Sequence, residues 1–197
     1  MKRAREGSQE RGPYLNRREL AVGGLGVAAA AAVSSSPTGA SNRGQSALRL
    51  EDRVAIEDLF SRYLWAYDCT DEEEFLAIFA ENALVVGRGK LYRGQDAILG
   101  WFRYLVALRE TEGDAIWMHE ASQFRFMRHG DNYIVYAYAT HFNTKADHAT
   151  RGIRSLGYFV CECEKAGDEW KFRHLSISTW DRNKVPWKKP LPWADTA

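Results

Sequence analysis

Glu51 to Phe79 reads EDRVAIEDLFSRYLWAYDCTDEEEFLAIF. In its first half Ile56, Leu59, Phe60, Tyr63, Leu64 and Tyr67 recur at three- and four-residue spacing, one stripe of an amphipathic helix. Glu57, Arg62 and Trp65 fall on its other sides. The helix is expected to start near Glu51 or Asp52 and to end near Asp68. Two of the six stripe residues carry a phenol, and the stripe closes on a carboxylate, Asp68. A helix face that ends Tyr-x-x-x-Tyr-Asp suits a cavity wall better than a dry core. On that reading the rest of the chain is the wall around those groups.

Downstream, Thr70 is expected to cap a second helix, with Glu72, Glu73 and Glu74 in its first turn, where the helix dipole favours acids. Phe75, Ile78 and Phe79 are its apolar face, so the acidic run reads as a solvated helix start rather than a metal site. ALVVGRGKLYRG (83–94) reads as a short hairpin with Gly87 and Gly89 in the turn. Gln95 to Leu108 predicts a third helix, with Ile98, Leu99, Phe102, Leu105 and Val106 apolar. Two pairs of long strands follow, with turns at Arg128–Asn132 and Ala166–Asp168. Three helices and then a four-stranded antiparallel meander mean an α+β fold, with the helices packed on one face of a curved antiparallel sheet. The tail KVPWKKPLPWADTA (184–197) holds three prolines and two tryptophans, so it is expected to wrap the outside in an extended form.

The chain has 197 residues, 45% of them hydrophobic and 13% aromatic, enough for one globular domain with some extra. Net charge is +1, with no basic run outside the N-terminus, which argues against nucleic acid as a partner. Residues 1–40 have the three-part layout of an export signal: a basic stretch, the Gly/Ala/Val run AVGGLGVAAAAAV, and small residues before Ala40. Arg17 and Arg18 side by side resemble a twin-arginine (Tat) signal, although Asn16 and Leu20 depart from its usual residues and no Lys follows. A membrane anchor is the alternative, but the apolar run falls short of the roughly 20 residues a span needs, so no stable membrane insertion is expected. The expected location is therefore periplasmic or extracellular, with cleavage after Ala40, a linker over 41–50, a domain over 51–183 and the tail over 184–197.

Cys69, Cys161 and Cys163 are an odd set and no disulfide framework. Cys161 and Cys163, two apart on a strand, face the same way and read as small apolar residues of a sheet.

The motif R-x-A-I-x-D-L-x-x-R-Y-x-x-A-x-D-x-x-D, Arg53 to Asp71, resembles the opening helix of the SnoaL-like proteins of the nuclear transport factor 2-like superfamily. Phe79-Ala80-Glu81-Asn82-Ala83, the Tyr92-Arg93-Gly94 step, His119 at the head of the meander and the GDEWKF turn agree with that resemblance. It implies a cone-shaped α+β barrel with a deep pocket. Closest is the Asp–His dyad group, which includes scytalone dehydratase, bile acid 7α-dehydratase and hexachlorocyclohexane dehydrochlorinase. Its dyad positions fall on Asp68 and His119, a further pocket tyrosine on Tyr63, and a second histidine near His141. The dehydrochlorinase pattern instead has Lys at position 63 and Arg near 175, where this chain has Tyr63 and Leu175. The group's pocket Asn has no match, since Tyr158 and Phe159 stand there.

The residue types suit proton removal beside a carbonyl followed by loss of β-hydroxide. A histidine oriented by a carboxylate is a competent base, and Tyr63 or Tyr67 could polarise the carbonyl. Neither a metal nor an organic cofactor is needed. Phe60, Tyr67, Trp117 and Phe159 are the expected substrate-binding residues, and Asp68, His119, Tyr63 and His141 the catalytic ones. His129 and His148 are expected in solvent, and His174 to line the pocket or face out. Three readings follow: a cofactor-free lyase (dehydratase) or isomerase on a small hydrophobic or cyclic molecule, a ligand-binding protein of the same fold, and a metal enzyme using His119, His141 and Asp68. A homodimer or homotrimer through the aromatic face of the sheet is expected, because Tyr133 alternates against Ile134, Tyr136 and Tyr138.

Overall fold

The computed structural model describes residues 48–111, 116–144 and 151–194. The expected export signal and cleavage site, most of the expected linker and His148 lie outside the described residues.

Helix α1 runs Leu50–Cys69 and buries Ile56, Leu59, Phe60, Tyr63, Ala66 and Tyr67. The stripe is therefore the one expected, with Ala66 added and Leu64 only partly buried. Thr70 does not cap the second helix. It ends α1, in the left-handed conformation (φ 62°) that glycine usually supplies. Asp71 caps α2 (Glu72–Ala77) instead, its Oδ1 accepting from the Glu74 N–H at 3.0 Å. The acidic turn is also paired: Arg103 donates to both carboxylate oxygens of Glu72, and Arg62 to Glu74. Phe79 belongs to the next strand rather than to α2.

Strands β1 (Phe79–Gly87) and β2 (Lys90–Arg93) form the hairpin, with Arg88 and Gly89 both at positive φ (50° and 73°). That is the primed turn geometry matching the twist of paired strands. Helix α3 (Gly94–Thr111) runs about a turn past the expected end. The long strands are β3 (Ile116–His129), β4 (Asn132–Thr144), β5 (Arg151–Ala166) and β6 (Glu169–Thr179).

All six strands join one sheet in the order β2-β1-β6-β5-β4-β3. Two expectations are corrected here. The sheet is mixed, because β1 runs parallel to β6 (Val85 opposite Leu175), and it is open, because β2 and β3 are edges, so no barrel closes. The hairpin enters the sheet beside the last strand, a pairing over some ninety residues that local patterning cannot reveal.

Alternation sorts the strand residues onto two faces. The helix-covered face carries Val135, Ala137, Phe159, Cys161, Cys163, Phe172 and Leu175 against Phe60, Tyr63 and Phe75. All three cysteines are free, and Cys161 and Cys163 are fully buried in this core. The opposite face carries Leu84, Ile134, Tyr136, Tyr158 and Val160, and the tail lies on part of it. Trp193 stacks on His174 with ring centroids 4.8 Å apart, and Trp187 sits over Tyr136 and under the Arg125 guanidinium. The tail is not wholly extended, since Pro186–Lys188 make one 3-10 turn that starts on a proline.

Candidate functional site

The last turn of α1 aims Asp68 at β3. Arg109, from the end of α3, donates to the carbonyl of Asp68 at 3.1 Å and to the Thr70 hydroxyl. A cation thus satisfies the exposed carbonyl end of α1, where the helix dipole is negative. The left-handed Thr70 is held by this contact and by Asp71 N–H donating to the Ala66 carbonyl at 2.8 Å. The position of Asp68 is fixed from both sides.

Both Asp68 carboxylate oxygens point to one residue. Oδ2 accepts the backbone N–H of His119 at 2.8 Å, and Oδ1 meets His119 Nδ1 at 2.6 Å. A carboxylate is an acceptor, so the ring's proton sits on Nδ1. His119 Nε2 is left with no hydrogen bond among the described residues, and the ring lines a cavity of about 230 Å³. Both side chains are mostly shielded, at 18% and 14% exposed for His119 and Asp68.

The cavity lies between α1, the hairpin turn, α3 and the helix-side face of the sheet. Tyr63, Tyr67, Trp101, Leu105 and Phe159 supply its apolar and aromatic wall, and Ser155, Thr140 and Thr179 its polar edge. Tyr67 lies 4.9 Å from the His119 ring, centroid to centroid. Burial pushes the Tyr67 phenol up to about 12, partly offset by the nearby Arg109 guanidinium, so it stays a protonated donor at neutral pH. Tyr63 is buried deeper, between Phe75, Phe159 and Phe172, and its phenol is raised well above the usual value by burial.

His141 faces His119 directly across the β3–β4 ladder, and the two rings stack at 4.3 Å with planes 20° apart. Burial, with the neighbouring His119 and Arg154, pulls the His141 ring down to about 4, so it is neutral at pH 7. Among the described residues its Nε2 is buried without a partner, as are the indole nitrogens of Trp101 and Trp117. Stacked rings do not turn their nitrogens toward a common point, and Asp68 already occupies His119 Nδ1. The metal reading of His119, His141 and Asp68 therefore does not fit their geometry. Among the described residues no group of His, Cys, Asp and Glu is arranged to hold a metal ion.

The other expected residues divide. Phe159 lines the cavity, whereas Phe60 lies in the core, edge-on to Phe124, Phe159 and Phe172. Trp117 backs the histidines from behind, edge-on to His141 at 4.7 Å, and does not line the cavity. Tyr158 faces the tail side. His174 also faces out, where its Nδ1 lies 2.7 Å from the buried Glu162, which accepts from Asn132 as well. His129 is largely exposed and 3.4 Å from Glu162.

Several site residues escaped the sequence reading. Gly87 admits the Trp101 indole, because a Cβ there would sit 2.7 Å from Nε1. Gly87 and Arg88 were legible only as a turn, and Arg109 lay just past the expected end of the third helix. A rule that looks for cations near helix C-termini could have flagged Arg109, but not which helix it would serve.

The buried histidines set a pH dependence of stability. His141 takes a proton near 6.5 when unfolded and near 4 when folded, and His174 is lowered by burial against the pull of Glu162. Between those values the unfolded chain binds more protons, so stability is full above about pH 6.5 and falls as pH drops toward 4. The expected loss at pH 5 is about 1 kcal/mol, allowing for solvent screening of partly exposed rings. Urea midpoints at pH 7.5, 6 and 5 check this, and His141→Phe should flatten the trend. A midpoint that does not move would show that these rings are not held neutral.

Comparisons with known proteins agree with this architecture. Among solved structures the fold resembles Aln2 from a Streptomyces species, at 20% identity, TM-score 0.59, and coverage of 67% of this chain and 93% of that one. ActVI-ORFA from Streptomyces coelicolor gives 11% identity and TM-score 0.60, over 68% of this chain and 97% of that one. A Novosphingobium aromaticivorans protein, provisionally named a scytalone dehydratase, gives 19% identity and TM-score 0.55, over 67% and 86% of the two chains. A search of curated protein sequences gives no match. Residues 48–176 match the SnoaL-like domain, a span that takes in all three helices and nearly the whole sheet, and the chain belongs to that family.

Proposed function

We propose that the chain is a cofactor-free lyase, a dehydratase, or an isomerase acting on a small cyclic molecule, with Asp68 and His119 as its acid–base pair. The observation that carries this reading is the double hold of Asp68 on His119, at 2.6 and 2.8 Å, with Nε2 left free on a cavity-lining ring. His119 Nε2 takes a proton from the carbon beside a substrate carbonyl. The resulting imidazolium is stabilised by the Asp68 carboxylate. Tyr67 donates to the enolate oxygen, where charge develops. His119 then returns the proton to the departing β-hydroxyl: the C–O bond breaks, the C=C bond forms, and water leaves. An isomerase would return it to another carbon. His141, neutral and stacked, keeps the His119 ring plane fixed.

The test is direct. Small cyclic ketones and β-hydroxy ketones are incubated with the protein in deuterium oxide, and exchange at the α-carbon and loss of water are followed by NMR and mass spectrometry. Exchange above buffer that needs His119 supports the reading. Binding without exchange or water loss across the panel would replace it with a ligand-binding protein of the same fold.

We also propose self-association through the sheet face beyond the tail's reach. Met118, Phe142 and Ile153 pair across β3, β4 and β5 there, and Met118 and Ile153 are 58% and 59% exposed, as Tyr138 is at 47%. Light scattering at micromolar concentration should give a dimer or trimer, and Ile153→Asp should shift it toward monomer. A wild-type monomer would rule this out.

A further inference from the structure

The cavity interior is nearly neutral. Apart from Arg88 and Glu120 at its edges, its wall is phenol, indole, hydroxyl and aliphatic or aromatic carbon, His141 is uncharged, and the Asp68 carboxylate is taken up by His119. At its rim stands Arg88, whose guanidinium makes no ion pair or side-chain hydrogen bond among the described residues. Most arginines of the domain are engaged. Arg53, Arg62, Arg103 and Arg173 pair with carboxylates, Arg109 holds the end of α1, and Arg125 covers Trp187.

The backbone at Arg88 is also unusual. It is the first central residue of the hairpin turn and sits at φ 50°, a region where Asn, Asp or Gly is preferred. A bulky residue holds this position at a small conformational cost, and it lines the cavity. The charge is felt inside, since Arg88 is among the groups that draw the Tyr67 phenol downward against burial.

The topology adds a direction. Arg88 belongs to the β1–β2 hairpin at one side of the sheet, while His119 and the exposed acid Glu120 belong to β3, the opposite edge. Arg88 and His119 thus mark opposite sides of the cavity. We propose that Arg88 binds a carboxylate of the substrate, so that this site takes cyclic or aromatic carboxylic acids, held with the acid group at the hairpin and the reacting carbon at His119. Guanidinium suits this role because its planar fork meets both oxygens of a carboxylate. The proposal rests on the cavity being a small-molecule site but not on the acid–base chemistry assigned to it.

The experiment compares 2-naphthoate with its neutral isostere 2-naphthamide by titration calorimetry on the whole chain. Arg88→Asn is the variant, because Asn tolerates the left-handed turn and the hairpin should keep its shape. Wild type should bind the acid at least about tenfold more tightly than the amide. Arg88→Asn should weaken the acid by about tenfold to a hundredfold, the worth of a charge-assisted hydrogen bond, and leave the amide within about twofold. Equal affinities in the wild type, a preference that survives in Arg88→Asn, or no binding of either probe would each overturn the proposal. Binding needs no turnover, so a carboxylate preference that vanishes in Arg88→Asn, in a protein that exchanges no α-proton, would leave the anchor standing and remove only the lyase reading.

Discussion

Replacing His119 with alanine should lower turnover of any substrate the wild type accepts by about 10²- to 10⁴-fold, the range a lost general base costs. The protein should stay folded. The ring is partly exposed on a cavity wall rather than packed in the core, and the backbone N–H of residue 119 can still donate to Asp68. Asp68→Asn is the sharper companion. In the native site both carboxylate oxygens accept, one from Nδ1–H and one from the backbone N–H. An amide offers one oxygen and one NH₂. The backbone donor cannot change, so it keeps the oxygen, and the NH₂ then faces Nδ1. The ring answers by moving its proton to Nε2, which removes the base from the cavity. The expected loss is therefore comparable to that of His119→Ala. Steady-state rates with circular dichroism on each variant check both. A folded His119→Ala protein within about threefold of wild type would end the dyad mechanism.

Phe60→Ala should have the largest effect on stability, about 3–5 kcal/mol, with little direct effect on the cavity. Phe60 is 1% exposed and meets Phe124, Phe159 and Phe172 edge-on, at 5.2, 5.5 and 5.1 Å between centroids. Truncation removes three such pairs and the transfer energy of a ring. It also opens a space that a helix and strands, pinned by their own hydrogen bonds, cannot close. Urea unfolding monitored by circular dichroism measures the loss. A cost under about 1.5 kcal/mol would mean that the aromatic cluster repacks around the gap. The two substitutions separate chemistry from folding on one helix: Phe60 lies two turns before Asp68 and faces the core, while Asp68 faces the site.

Much of this molecule was legible in its order of residues. The three- and four-residue spacing from Ile56 to Tyr67 located α1 and its buried face, because helical periodicity is local. Glycines at 89, 130 and 167, each at positive φ, marked three hairpin turns for the same reason. The resemblance carried by Arg53 to Asp71 named a family that the match over residues 48–176 shows. What the sequence could not decide depends on pairs far apart in the chain. The parallel docking of β1 on β6, the open edges of the sheet, and the tail that lays Trp193 on His174 all join segments that share no local signal. Phe60 and Phe159 look alike as letters and share one core, yet the packing of helix on sheet leaves only Phe159 bordering the cavity. Arg109 and Arg88 were unremarkable charges until the fold set one against the end of α1 and the other on the rim of the cavity. Periodicity is a property of neighbours and survives translation into a string. A site is a convergence of directions from several elements, and those directions exist only once the elements are packed.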